Sequence, residues 1–167
     1  MIFKEVCAMK QSQLARWLKT ITIIAGVAGM LFFFGMIPAI VRDLGREFPE
    51  LNYLVVPCLV VLWAAAVPCL IALVEFWGIC SHIAEDNSFC RENARSLQII
   101  GKLALLDTIA CFAVTAYLFL NHACNPGVIL LSFGVMIAGT AIAIAAMTLS
   151  HLVDKAIRIK EDNELTI

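Results

Sequence analysis

The chain has 167 residues, of which 62% are hydrophobic and 15% are charged, and its formal net charge is −1 at pH 7. Soluble domains have about 45–50% apolar and about 25% charged residues, so this composition excludes a soluble globular domain and a disordered tail. The net charge also provides no basic footprint for direct binding of nucleic acid. An integral membrane protein is the class that remains.

Four segments are long and apolar enough to cross a bilayer as helices, since a spanning helix needs about 20 mostly apolar residues. They cover residues 20–41, 54–79, 103–120 and 127–149. The third and fourth segments are joined through Asn125-Pro126-Gly127, a strong turn signal that predicts an antiparallel hairpin. The sequence therefore predicts a single domain over residues 1–167, an all-α integral membrane protein whose four transmembrane helices form an antiparallel bundle.

The fourth predicted helix continues beyond the membrane. After Leu149 the apolar residues keep a helical spacing, whereas charged residues occupy the opposite face. The apolar positions of this stretch are Leu152, Val153, Ala156 and Ile157. We therefore expect an amphipathic extension of the fourth helix within a tail that covers residues 150–167.

The basic residues are divided unequally between the two sides of the predicted bundle. The first loop contains Arg42 and Arg46, whereas ten others lie in the N-terminal segment, the second loop with its helix entry, and the C-terminal tail. These ten are Lys4, Lys10, Arg16, Lys19, Arg91, Arg95, Lys102, Lys155, Arg158 and Lys160. By the positive-inside rule, both termini of this multi-pass protein are predicted to be cytoplasmic.

Two carboxylates fall within the predicted spans, Glu75 in the second and Asp107 in the third. A charge at the centre of a spanning helix costs about 2.5–3.5 kcal/mol, so such a residue is a functional candidate by default. Lys102 is close enough in depth to pair with either carboxylate. The candidate polar cluster consists of Glu75, Lys102, Asp107, Thr108 and Thr115. It is interpreted either as a structural tie between the second and third helices, or as a ligand or ion site, or as a proton relay.

The sequence contains no recognisable motif for a metal, a cofactor or catalysis. Seven cysteines are present, but no C-x-x-C pair occurs among them. Cys58, Cys69 and Cys80 are separated by eleven residues each, about 16 Å along a helix, which is too far to share a metal. We therefore expect no cofactor, no metal site and no catalytic residue, and a role for the cysteines in packing.

A stripe of small residues runs along the fourth predicted span. Its members are Gly134, Ala138, Ala141, Ala145 and Thr148, at steps of four and three. Small residues allow helix backbones to approach closely in lipid. The stripe is interpreted as a packing surface, within the bundle or within a homo-oligomer, and the alternative is a pore or ligand groove.

Two stretches on the predicted cytoplasmic side carry a family resemblance. The second loop reads Ser88-Phe89-Cys90-Arg91-Glu92-Asn93-Ala94-Arg95-Ser96-Leu97, followed by Ile100-Gly101, and the chain ends in Glu161-Asp162-Asn163-Glu164-Leu165-Thr166-Ile167. With these motifs the chain resembles the small bacterial four-span membrane proteins of domain-of-unknown-function family 2975. The resemblance implies a location in the bacterial cytoplasmic membrane. It also implies a partner, because members of this family are often encoded beside a short helix-turn-helix regulator of the Cro/CI type.

The resemblance and the charge pattern together suggest a function. The hypothesis is a non-enzymatic membrane protein, regulatory or sensory, with a cytoplasmic docking surface for a partner such as a small helix-turn-helix regulator. The alternative is a subunit of a small oligomeric transporter or channel. The candidate docking residues are Phe89, Arg91, Glu92, Asn93, Arg95, Leu165, Thr166 and Ile167.

Overall fold

The computed structural model describes residues 2–47, 52–85, 89–120 and 126–164. Nearly all of them are helical, which confirms the predicted all-α class. The α-helices are α1 (Ile2–Leu31), α2 (Ile37–Glu47), α3 (Asn52–Ala84), α4 (Arg91–Leu120) and α5 (Pro126–Glu164). A π-helical turn, Phe32–Met36, joins α1 to α2, so that the two form one nearly continuous rod.

Four helical segments in the described part of the chain are long and apolar enough to cross a membrane, the number that the sequence predicts. They are Arg16–Asp43, Leu59–Ala84, Arg91–Leu120 and Pro126–Asp162. The described helices continue past the predicted apolar segments, most clearly in α5, where the helix persists to Glu164. This continuation confirms the predicted helical extension of the fourth span.

The π-helical turn has a local cause in the sequence. Pro38 follows it, and proline lacks the N–H that would bond to the carbonyl four residues earlier, while its ring presses on that carbonyl. The helix therefore shifts its hydrogen bonding just before the proline, and the N–H of Ile37 donates to the carbonyl of Phe32, five residues back.

The four long helices pack side by side in an antiparallel bundle, each against its neighbour in chain order. The α4–α5 pair is the most extensive, followed by α3–α4 and then α1–α3. Paired residues show the antiparallel order. From Asn93 to Asp107 on α4, the partners on α3 run back from His82 to Cys69. From Ala94 to Gly101, the neighbours on α5 run back from Ser150 to Met147. Among the described residues, α1 makes no close backbone contact with α4 or α5.

Apart from single buried residues such as Ile37 and Ala66, the buried apolar side chains cluster towards the end of the bundle where α3 ends and α4 begins. We call this end of the bundle the connection end. Its apolar cluster comprises Ile79, Ala94, Leu97, Val153 and Ile157. Many large apolar side chains elsewhere in the spans, such as Ile109 and Ile144, point away from the bundle. In a bilayer these side chains contact lipid, which is why the bundle needs little core of its own.

The stripe of small residues on α5 does not pack against the rest of the chain. Gly134, Ala138, Ala141, Ala145 and Thr148 are all exposed. A different face of α5 meets α4. That face carries Ala143, Ala146 and Ser150, all of which are buried. The interpretation of the stripe as a packing surface within the bundle is therefore wrong, because among the described helices α5 packs mainly against α4 and presents another face to it. Its role in a homo-oligomer stays a prediction.

Two glycines offer a direct test of this packing. A Cβ added at Gly101 would lie 2.8 Å from Cγ of Met147 and 3.3 Å from the carbonyl oxygen of Ala143, whereas a Cβ at Gly134 meets nothing within 4 Å. We expect Gly101→Val to lower the free energy of unfolding in detergent by about 1–3 kcal/mol, through overpacking. Gly134→Val is the matched control and should melt like wild type. Equal melting of the two variants would contradict the described α4–α5 contact.

Candidate functional site at the connection end

The carboxylate of Asp107 has a partner on the neighbouring helix. The Cys69 thiol on α3 donates a hydrogen bond to Oδ2 of Asp107 on α4, with a sulfur–oxygen distance of 3.3 Å. Asp107 is half-buried where the two helices meet. The structure thus places Asp107 in a contact between the second and third spans, although its partner is a thiol and not the amine that we expected.

Lys102 does not join that contact. Lys102 is exposed, and the ion pairs found among the described residues do not include it. The reason lies in the helix geometry, since five residues separate Lys102 from Asp107 and turn their side chains about 140° apart on α4. The expected pairing of Lys102 with Glu75 or Asp107 is therefore wrong. Glu75 is half-buried on α3.

The two threonines of the candidate polar cluster bond within their own helix. The Thr108 hydroxyl donates to the carbonyl of Ala104 at 2.8 Å, and the Thr115 hydroxyl donates to the carbonyl of Cys111 at 2.8 Å. A hydroxyl that bonds back to its own helix is a common way to satisfy threonine in an apolar setting. Among the described side chains, this cluster is therefore a series of local bonds and not a connected network.

A buried polar pair that sequence reasoning missed lies at the connection end. Nδ1 of His82, near the end of α3, lies 2.8 Å from Oδ1 of Asn93, in the first turn of α4. Since an amide oxygen only accepts, Nδ1 donates this hydrogen bond. Asn93 is 2% exposed. Its assignment to the docking surface is therefore a mistake, because a side chain enclosed by its own bundle cannot meet a partner.

Ser150 makes the second buried polar contact of the connection end. Its hydroxyl donates to the carbonyl oxygen of Ala94 at 2.7 Å, and Ser150 is 1% exposed. Asn93 and Ala94 are adjacent on α4, so two consecutive residues fix this helix to α3 on one side and to α5 on the other. The burial of Asn93 could have been predicted from the spacing of its neighbours. Cys90, Ala94, Leu97 and Gly101 recur at helical intervals and form a buried face, and Asn93 lies beside that face.

The other docking candidates of the loop motif lie on the surface of the connection end. Phe89 is 61% exposed, and Glu92 and Arg95 are exposed as well. Arg91 extends to α5, where its Nη2 lies 3.1 and 3.2 Å from the two carboxylate oxygens of Glu161. The two motifs that carry the family resemblance therefore meet in space. Leu165, Thr166 and Ile167 lie outside the described residues.

The surface beside this ion pair is a charged groove between the start of α4 and the end of α5. It has a volume of about 410 Å³. Its polar lining consists of Arg91, Arg95, Gln98, Asp154, Arg158 and Glu161. Within the described residues, no group of three or more histidine, cysteine or acidic side chains is placed to hold a metal ion. The connection end thus presents guanidinium donors and an exposed aromatic ring.

The fold and this surface define a four-span helical membrane protein with a charged, water-facing end. The chain belongs to the family of proteins of unknown function DUF2975, whose model matches residues 39–167. The chain is also similar to the uncharacterized membrane protein YoaS of Bacillus subtilis (strain 168). The two are 26% identical over 155 residues, which cover 90% of this chain and 96% of that protein. No solved structure matches the chain. These findings confirm the family resemblance and the membrane class.

The buried pair predicts a measurable loss of stability. Asn93→Ala removes the acceptor of the His82 hydrogen bond and leaves a partly buried donor unsatisfied, which costs about 1–3 kcal/mol. We expect a lower melting temperature of the protein in detergent. Gln98→Ala, an exposed position on the same helix, is the control and should leave the melting temperature unchanged. If both variants melted like wild type, the hydrogen bond would not contribute to the bundle.

Proposed function

We propose that this protein is a regulatory or sensory protein of the bacterial cytoplasmic membrane that docks a cytoplasmic partner at its connection end. The partner that the family favours is a short helix-turn-helix regulator. In this proposal the protein is not an enzyme, and the membrane spans serve to hold the docking surface at the bilayer. The docking surface is defined here as Phe89, Arg91, Glu92 and Arg95, together with residues 165–167.

The observation that carries the proposal is the exposure of Phe89. This large aromatic side chain lies between the spans Leu59–Ala84 and Arg91–Leu120, at the end of the bundle, and is 61% exposed. We interpret this exposed ring as an anchor for a partner protein, because aromatic side chains are enriched at protein–protein interfaces. Arg91 and Glu92, both exposed, provide the polar rim that such interfaces have.

The contacts that hold the start of α4 further support a docking role. The hydrogen bonds of Asn93 and Ser150 fix the start of α4, and the Arg91–Glu161 ion pair connects it to α5. Phe89 lies just before this segment in the chain. A preorganised surface loses less conformational entropy when a partner binds, so this arrangement favours affinity.

The proposed orientation rests on the unequal distribution of basic residues. The connection end and the N-terminal segment on the same side contain most of the lysines and arginines, whereas Arg42 and Arg46 lie at the opposite end. By the positive-inside rule this distribution supports a cytoplasmic location of the docking surface, where a transcription regulator would be found.

The alternative function, a subunit of a small oligomeric transporter or channel, would need polar groups along a path through the spans. The described polar side chains of α4 do not favour it. Thr108 and Thr115 donate to their own helix, and Asp107 accepts from Cys69. The exposed stripe on α5 remains available for assembly, and assembly is compatible with either function.

The orientation predicts which positions are accessible from outside the cell. On a background without the native cysteines, single cysteines introduced at Arg42 or Arg46 should react with a membrane-impermeant thiol reagent in intact cells. A cysteine at Phe89 or Glu92 should react only after the cells are permeabilised. The reverse pattern would place the connection end outside and would contradict docking of a cytoplasmic partner.

Docking predicts a specific effect of Phe89→Ala. In a bacterial two-hybrid assay with a short helix-turn-helix regulator of the Cro/CI type as the partner, we expect this variant to lose most of the signal, since interface aromatic anchors often contribute more than about 2 kcal/mol. Phe119→Ala is the matched control, because Phe119 is 64% exposed but lies at the other end of α4, within a span. Equal signals from wild type and Phe89→Ala, with both proteins inserted in the membrane, would contradict the proposed surface.

A further inference from the structure

The charged groove of the connection end has a composition that the docking surface alone does not explain. Three arginines, Arg91, Arg95 and Arg158, line it together with the amide of Gln98. Two carboxylates, Asp154 and Glu161, line it as well. Both α4 and α5 contribute, so the groove exists only because the two helices pack side by side.

The carboxylates engage two of the three arginines. Nη2 of Arg91 lies 3.1 Å from Glu161, and Nη2 of Arg158 lies 3.5 Å from Asp154. No ion pair found among the described residues includes Arg95. Because an arginine has five N–H donors, Arg91 and Arg158 each keep donors beyond the Nη2 contacts that hold them. The groove thus has a net positive charge. It also has several guanidinium donors, two of them held in position by Glu161 and Asp154.

We propose that this groove binds a phosphate-bearing anion, with Arg95 as its principal ligand and Arg91 and Arg158 as supporting donors. Guanidinium groups bind phosphate oxygens in pairs, with geometry and strength that lysine does not match. A phosphate presents several acceptor oxygens in different directions, which suits donors that approach from two helices. Asp154 and Glu161 hold the supporting arginines in place, and their negative charges offset part of the positive charge of the groove.

The position of the groove relative to the membrane allows two sources of phosphate. At 1.5 Å per residue, Arg95 lies about 10 Å from Lys102, near the edge of the apolar part of α4. Polar headgroups extend about 5–8 Å beyond the hydrocarbon core, so the extended Arg95 side chain reaches back into this layer. Arg91 and Glu161 lie farther out, in water. The groove is therefore accessible to the headgroup of an anionic phospholipid and to a soluble phosphate.

The test uses the full-length protein and two probes in separate arms. In the first arm, the protein is reconstituted in vesicles of phosphatidylcholine and phosphatidylglycerol, extracted in mild detergent, and examined for retained phosphatidylglycerol by native mass spectrometry. In the second arm, the delipidated protein in neutral detergent is melted with and without inorganic phosphate at constant ionic strength. Arg95→Gln is the test variant in both arms. Lys155→Gln is the matched control, since Lys155 is an exposed cation at a similar level of α5 that does not line the groove.

We expect wild type and Lys155→Gln to retain phosphatidylglycerol in the first arm, or to gain thermal stability with phosphate in the second. Arg95→Gln should bind the same probe about tenfold more weakly. Tenfold corresponds to 1.4 kcal/mol, about the contribution of one hydrogen bond to a charged group. An effect in the first arm identifies a lipid headgroup, and an effect in the second identifies a soluble phosphate. Equal losses for both variants would show non-specific attraction and would overturn the proposal, as would the absence of binding in both arms. Neither arm contains a partner protein, so the outcome is independent of the docking proposal.

Discussion

A membrane gives its helices no hydrophobic reason to associate, because lipid tails are as apolar as the side chains they contact. The bundle must therefore be held by close backbone approach and by polar bonds that exclude lipid. In this protein the buried polar bonds between described helices lie at the connection end, and the close approach of α4 and α5 extends from Gly101 along the helices to Gly139. Gly101 lies in contact with α5, Ser150 donates to the backbone of α4, and His82 donates to Asn93. The arrangement of the other elements depends on these few contacts near the start of α4.

The same contacts explain why the connection end is suited to function. Once α4 is fixed to both neighbours, the residues around it occupy defined positions at the membrane surface. Phe89 faces water next to the fixed helix, and Arg91 reaches Glu161 on α5. Docking of a partner and binding of an anion are proposed for overlapping parts of this surface, which share Arg91 and Arg95. The spans themselves contribute an anchor and a lipid-facing exterior, in agreement with the local hydrogen bonds of Thr108 and Thr115.

Composition and hydropathy were sufficient to predict the class, the four spans and the helical extension of α5, since each follows from local sequence alone. The contacts between helices were harder to predict, because they depend on which faces meet. Lys102 has the right depth for Glu75 but the wrong direction on α4. The small-residue stripe, with Ala141 at its centre, looked like a packing surface, yet α5 meets α4 with the face that carries Ala143. Asn93 was recognised as part of a motif, but its burial depends on α3, whose register no local pattern indicates.

The central claim is that the connection end holds the bundle together through a direct bond between α3 and α4. A double-mutant cycle of His82→Ala and Asn93→Ala, with the free energy of unfolding measured in one detergent, tests it most directly. The hydrogen bond of 2.8 Å predicts a coupling energy of about 1 kcal/mol, so that the double variant is less destabilised than the sum of the single variants. Strictly additive losses would show that the two residues act independently and would contradict the account.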